Sequence, residues 1–142
     1  MTNQPPARMP LPLPTPTQEN DFYWEKCKEH ELWLRSCNAC NEPYFYPRDM
    51  CPECHSRDTT WVQASGRGEV HAYAVVERPP TPAFAGEVPF VTALIKLEEG
   101  PILPTRIVGV EPVPDAVSIG MAGQIEFDDA SETISLPVFR PN

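Results

Sequence analysis

Glycine, histidine and basic charge are all scarce in this chain. Seven glycines among 142 residues form no phosphate-cradling loop of the G-x-x-x-x-G-K-[ST] or G-x-G-x-x-G kind. The three histidines, His30, His55 and His71, stand apart in the sequence. They make no H-E-x-x-H pair, and there is no G-x-S-x-G elbow, so no self-sufficient hydrolytic set is written here. Eleven Lys and Arg face twenty Asp and Glu, for a formal net charge of -9. Such a chain repels polyphosphate at long range, which argues against non-specific nucleic-acid binding. No apolar run approaches the roughly 18 residues of a membrane span. A basic stretch followed by an apolar core, the mark of a secretory signal, is also missing, and a cytoplasmic location is expected.

Proline and cysteine are present in telling places. Six of the 19 prolines fall in the first sixteen residues. That segment (1–16) reads as a polyproline II or flexible arm, since proline removes backbone donors and disfavours helix. Its Leu11 and Leu13 would give it something to bury across a partner. Further on, Cys37-Asn38-Ala39-Cys40 and Cys51-Pro52-Glu53-Cys54 are separated by ten residues. Two C-x-x-C knuckles at this distance are the spacing of a four-thiolate metal site. A closed shell of four sulfurs suits structural zinc and leaves no position open to substrate. The same ligands can hold a single iron as an electron carrier, and spacing alone does not separate the two. Cysteines used as metal ligands also fit a reducing compartment. The fifth, Cys27, has no C-x-x-C mate and reads as a small buried hydrophobe.

The remaining pattern is mainly β. A helix is expected from Thr17 or Asn20 to Glu29, with Glu19 and Asp21 where the macrodipole favours acid. Phe22, Tyr23 and Trp24 give it an apolar surface that needs a partner. Glu31–Ser36 alternates and leads into the first knuckle, and Tyr44–Pro47 should be the returning strand. From Gly68 on, strand signals alternate with turn residues. The segments are Glu69–Glu77, Phe90–Leu97, Ile102–Gly109, Gln124–Phe127 and Thr133–Phe139. Val70, Ala72, Ala74 and Val76 should share one face, Val91, Ala93, Ile95 and Leu97 another, and Ile134, Leu136 and Val138 should point inward. Five strands with the longest break between the third and fourth match an OB-type barrel. The expected organisation is an arm (1–16), a helix with a zinc ribbon (17–64), and the barrel (65–142). The proline-rich loop Arg78–Pro89 between the first two barrel strands is long enough to be functional. His55 and His71 read as surface residues.

These pieces together resemble a known family. Phe22-Tyr23-Trp24, Leu32 to Ser36, the two knuckles and Tyr46-Pro47-Arg48 carry the likeness in the first half. Gly68 to Val76, Pro89-Phe90, Ile119-Gly120-Met121 and Leu136-Pro137-Val138-Phe139 carry it in the second. Over about residues 20 to 140 the chain is similar to the acyl-CoA-associated OB-fold family with an N-terminal rubredoxin-like zinc ribbon. It departs at Glu29-His30-Glu31, where the family often has glycine.

The resemblance implies a non-catalytic accessory subunit of a thiolase-superfamily enzyme. Such partners include thiolases, hydroxymethylglutaryl-CoA synthase-type condensing enzymes, acyltransferases, and lipid-transfer-protein-like retro-aldolases that shorten sterol side chains in steroid degradation. It further implies zinc at Cys37, Cys40, Cys51 and Cys54 and a CoA thioester shared with the partner near the ribbon–barrel junction. Arg48, Arg57, Arg67 and Arg78 are then candidate phosphate contacts by charge and location. The competing reading is a stand-alone nucleic-acid-binding ribbon and OB module. Five acids lie among those four arginines, and no basic stripe is visible to support it.

Overall fold

The computed structural model describes residues 11–142. Residues 1–10 of the expected proline arm lie outside the described residues. The described chain begins with extended backbone and a turn, then a single helix, α1 (Asp21–Lys28). Asp21 in its first turn and Lys26 and Lys28 in its last complement the helix dipole. Asn20 is its N-cap, the later of the two expected starts, and Glu29 its C-cap; the Asn20 side chain makes no capping bond because it is otherwise engaged. Its side-chain Oδ1 accepts from the Thr17 backbone N–H at 2.7 Å, and its side-chain Nδ2 donates to the Tyr46 hydroxyl at 3.0 Å.

The exit from α1 explains the departure at residues 29–31. His30 has φ +63°. Its N–H bonds to the Cys27 carbonyl (2.9 Å), and the Glu31 N–H reaches back to the Lys26 carbonyl (2.8 Å). This is a Schellman closure, whose left-handed residue is usually glycine. Here a histidine occupies it and is held from outside. Its ring stacks on Phe127 at 5.5 Å with 12° between planes, and Nε2 lies 2.9 Å from Asp129 Oδ1.

The ribbon is a three-stranded antiparallel sheet. β1 (Trp33–Cys37) is central, flanked by β2 (Pro43–Tyr44) and β3 (Thr59–Gln63). The returning strand is thus two residues long and ends at Tyr44. A third strand, which the sequence reading did not assign, runs beside β1 from Trp33↔Gln63 to Cys37↔Thr59. Phe22 packs at a tilt of 38° against Trp61 of β3 (4.7 Å) and edge-on to Trp33 of β1 (5.5 Å), which seats the helix on the sheet.

The barrel consists of β4 (Arg67–Val76), β5 (Phe90–Leu97), β6 (Ile102–Ile107), β7 (Ala122–Asp129) and β8 (Ser135–Pro141). The order β4-β5-β6-β8-β7 closes through β4–β7 pairing, and β6 meets β8 in parallel at Ile107↔Phe139. This is the OB-type closed barrel that the strand count predicted. β5 alternates cleanly, with Val91, Ala93, Ile95 and Leu97 buried. β4 does not. Its register shifts between Val70 and Ala72, and a bulge of one residue sends the following side chains to the other face. Val70 is buried, Ala74 is exposed, and Tyr73 and Val75 pack on the core instead. In β8, Phe139 joins Val138 in the core, fully buried. β7 comes so close to β8 at Gly123 that a Cβ there would stand 2.6 Å from the Phe139 ring.

One hydrophobic core runs through both parts. Tyr23, Trp24 and Cys27 of the helix and Leu32 and Leu34 of the ribbon share a cluster with Val70, Ile95, Leu103 and Phe139 of the barrel. The helix that needed a partner finds it in this chain.

Candidate functional site

The two knuckles face each other as their spacing implied. One sulfur from each of Cys37, Cys40, Cys51 and Cys54 lies within 4.8 Å of the others. Cys37 and Cys54 Sγ are 3.5 Å apart, Cys40 and Cys51 Sγ 3.7 Å. A tetrahedral zinc with Zn–S near 2.3 Å has sulfur–sulfur edges of about 3.8 Å. The donor set therefore fits a structural Zn²⁺, with all four positions filled by protein.

The knuckles repeat one local design. In the first, the Cys37 N–H bonds to the Glu42 carbonyl (3.0 Å); in the second, the Cys51 N–H bonds to the Ser56 carbonyl (2.9 Å). The residue after each second cysteine turns left-handed, Asn41 at φ +59° and His55 at +63°. In a chain this poor in glycine, asparagine and histidine take those turns, as both tolerate the conformation better than most residues. His55 is exposed, and its backbone is what the site uses. The N–H groups of Cys40 and Ala39 point at the Cys37 sulfur and draw its pKa down to about 7. This prepares a thiolate for metal. Cys27 is elsewhere, fully buried in the main core, and burial pushes its thiol up to about 12. It is no ligand and no reactive thiol.

A second feature was invisible in the sequence. An apolar groove of about 550 Å³ opens where helix, ribbon and barrel meet. Tyr23 and Trp24 of α1 and Phe45 and Tyr46 of the ribbon form one side, and Phe84 and Phe90 from the proline-rich loop and β5 another. β6 and β8 form its floor, and Leu11 and Pro12 of the arm reach its edge. Thus the described end of the arm lies against its own chain. The groove occupies the second- and third-strand face and first loop of the barrel, the region OB folds use for ligands. The Trp24 indole N–H is buried and finds no acceptor among the described residues, which is uncommon for a buried donor.

The four arginines singled out by location do not converge. Arg48 and Arg57 are exposed beside the knuckles, and Arg78 is exposed beyond the end of β4. Arg67, at the other end of that ten-residue strand, is roughly 30 Å from Arg78 at strand rise. Arg67 pairs with Glu98 at 2.8 Å. None of the four lines the groove; the arginine that does is Arg106. Its guanidinium lies 4.5 Å from the Phe90 ring centroid and 3.3 Å from Glu87 Oε2. Only folding brings it there, and no motif marked it. His71 is exposed on β4. Among the described residues no helix is long and apolar enough to cross a membrane.

Comparison with known proteins agrees with this geometry. Residues 24–60 match the rubredoxin-like zinc ribbon domain of ChsH2, and residues 61–128 match its C-terminal OB-fold domain. The chain is 40% identical, over 92% of its length, to the probable enoyl-CoA hydratase alpha subunit of Thermomonospora curvata. It spans only 40% of that relative. It is 33% identical to a DUF35 domain-containing scaffold protein of Methanothermobacter thermautotrophicus, over 74% of this chain and 77% of that one. A solved chain described as an Ltp2-ChsH2(DUF35) aldolase superposes with TM-score 0.78 at 40% identity, covering 91% of this chain and 98% of that one. The chain therefore belongs to the ChsH2 (DUF35) family, in which a rubredoxin-like zinc ribbon is joined to an OB-fold domain.

Proposed function

We propose that this chain is a non-catalytic accessory subunit of a thiolase-superfamily enzyme acting on acyl-CoA, and that it stabilises the partner and helps shape its CoA-thioester channel. The observation that carries the reading is the likeness, at 40% identity across nearly the whole fold, to a chain of the Ltp2-ChsH2(DUF35) aldolase. The chemistry of the molecule supports it. The closed sulfur shell offers a metal no open coordination position, so zinc there fastens the ribbon and does no chemistry. The groove carries aromatic walls and few polar groups, as suits a thioester's chain more than a polyanion.

Within this reading the partner supplies the catalytic residues and the acyl-CoA is held between the two chains. Thiolysis, acyl transfer and retro-aldol cleavage of a sterol side chain all suit such an arrangement. Exposed Arg48, Arg57 and Arg78 are available to ligand phosphates or to acids of the partner, while Arg67 is engaged by Glu98. The five free cysteines suit a reducing compartment.

The test is assembly. Co-expression with a thiolase-superfamily protein from the same genome should give one hetero-oligomer by light scattering, burying well above ~1,600 Å². Two proteins that elute separately at micromolar concentration would reject the reading.

A further inference from the structure

We propose that the groove is a docking site for a proline-rich extended segment, and that its occupant is this chain's own proline-rich arm, which enters at Leu11 and Pro12. The inference stands apart from the accessory reading, since it concerns what fills the groove in this chain by itself.

The path of the arm is the first support. Leu11 and Pro12 border the groove, Pro16 borders a neighbouring hollow, and Trp24 borders both. Residues 11–16 thus pass α1 at Trp24. Leu11 and Leu13 are half-buried while Pro12 between them is exposed, which makes the two leucines the anchors. Ten residues precede Leu11, with Pro5, Pro6 and Pro10 among them. At the polyproline II rise of about 3.1 Å per residue they reach about 30 Å. That exceeds the length of β5, whose eight residues span about 26 Å, so the arm is long enough to cover the groove.

The walls fit the same occupant. Tyr23, Trp24, Phe45, Tyr46, Phe84 and Phe90 all border the groove, and aromatic-lined grooves are where proline-rich segments dock, pre-ordered in polyproline II. Pro104 and Pro137 in the floor remove ladder donors there, which favours such a segment over an added β-strand. Trp24 is only 8% exposed, and its indole N–H finds no acceptor among the described residues. A proline offers a carbonyl and no N–H. The arm therefore supplies acceptors for that donor without bringing donors that need partners of their own. Charge acts in the same direction, since Arg8 is the one charged side chain in residues 1–16 and the whole chain carries -9. A ligand that enters this groove from outside must first displace the arm.

Trypsin tests this in the full chain, because Arg8 is the arm's one basic residue. Cleavage after Arg8 should be slow in the wild type. In the double variant Leu11→Ser, Leu13→Ser it should be roughly tenfold faster or more, because proteolysis tracks the population of the open arm and two half-buried leucines have lost their hold. Phe84→Ala, on the groove wall, should accelerate the same cut. The three tryptophan indole N–H signals give a second readout by NMR, with Trp24→Phe assigning the Trp24 signal. That signal should move in the double variant, and a synthetic peptide of residues 1–16 should return it to its wild-type position. Equal cleavage rates with an unmoved Trp24 signal would overturn the inference. Protection that appears only as concentration rises, with a dimer in light scattering, would overturn the intramolecular assignment and give the arm to a second copy. Both leucines lie outside the buried core cluster, and thermal melts check that the variants fold. Assembly with an enzyme subunit is measured separately, so failure of this inference is distinguishable from failure of the accessory reading.

Discussion

At the knuckle end, the residues buried together are Cys37, Tyr44 and Cys51, with Cys40 against them. At the other end, a continuous cluster takes in Val70, Val91, Ile95, Leu97, Leu103, Ile107 and Phe139, and reaches back to Tyr23, Trp24, Leu32 and Leu34. The first region has almost no apolar surface to remove from water, and the second has a full core. Two parts of one chain are thus held by different forces, coordination in one and hydrophobic burial in the other. The helix and the lower half of β1 belong energetically to the barrel, and only the knuckles depend on metal. The boundary between the two regimes runs through the ribbon itself.

The sharpest way to break this comparison is to remove the metal. Chelation, or Cys37→Ser, should release residues 37–58 to hydrogen exchange while the barrel amides stay protected. The stake is large, since structural zinc binding is worth about 10–16 kcal/mol in isolated ribbons and fingers. Knuckles that remain protected after stripping would show that packing suffices there. Elemental analysis of the native protein should find zinc, and a coloured, iron-loaded preparation would revive the electron-carrier alternative.

Next in size is the core. Phe139→Ala should cost about 3–5 kcal/mol, read as a shift in denaturation midpoint. It should also loosen the amides of α1, because helix and barrel share one cluster. An unaffected helix would separate the two ends more cleanly than the structure does.

A smaller effect compares cysteine with cysteine. Cys27→Ala should cost on the order of 1 kcal/mol and leave the metal content unchanged, whereas any knuckle cysteine loses the metal. The Cys27 thiol, raised by burial to about 12 from 9.0, favours the fold below pH 9. That contribution is lost as pH climbs toward about 12. Alkylation of Cys27 should therefore follow global unfolding at neutral pH.

The smallest effect is at the seam. The Ser135 hydroxyl, and after it His30, hold the Asp129 carboxyl below its ordinary range. A lowered carboxylate stabilises above its ordinary pKa and ceases to do so as pH falls through the lowered value. Acidification below about pH 4 should free the His30 ring from Asp129, visible as loss of its NMR contact with Phe127. Unchanged contacts in acid would assign the seam to stacking alone.

How much of this was legible in the sequence follows from what each feature depends on. The metal set was readable because thiolate coordination fixes residue type and spacing within eighteen consecutive positions. β5 was readable because both its neighbours in the barrel leave the strict alternation intact. β4 misled because a single bulge reverses the faces, and nothing in G-E-V-H-A-Y-A-V-V announces a bulge. β3 escaped notice because its residues are half-buried or exposed throughout, so no alternation marks it. The left-handed turns at His30, Asn41 and His55 escaped too, since glycine is the usual signal and this chain uses other residues. The groove and Arg106 were out of reach for a plainer reason. The arm, α1, the ribbon, the proline-rich loop and strands β5 to β8 all contribute to that site, and their proximity exists only after the barrel has closed.

The most direct measurement of the central claim is the steady-state rate of acyl-CoA turnover by the enzyme subunit alone, by this chain alone, and by the two combined. The account predicts no turnover by this chain, a weak or unstable enzyme subunit, and recovery of activity on mixing. Thioester turnover by the isolated chain, or an enzyme subunit equally active without it, would contradict the account.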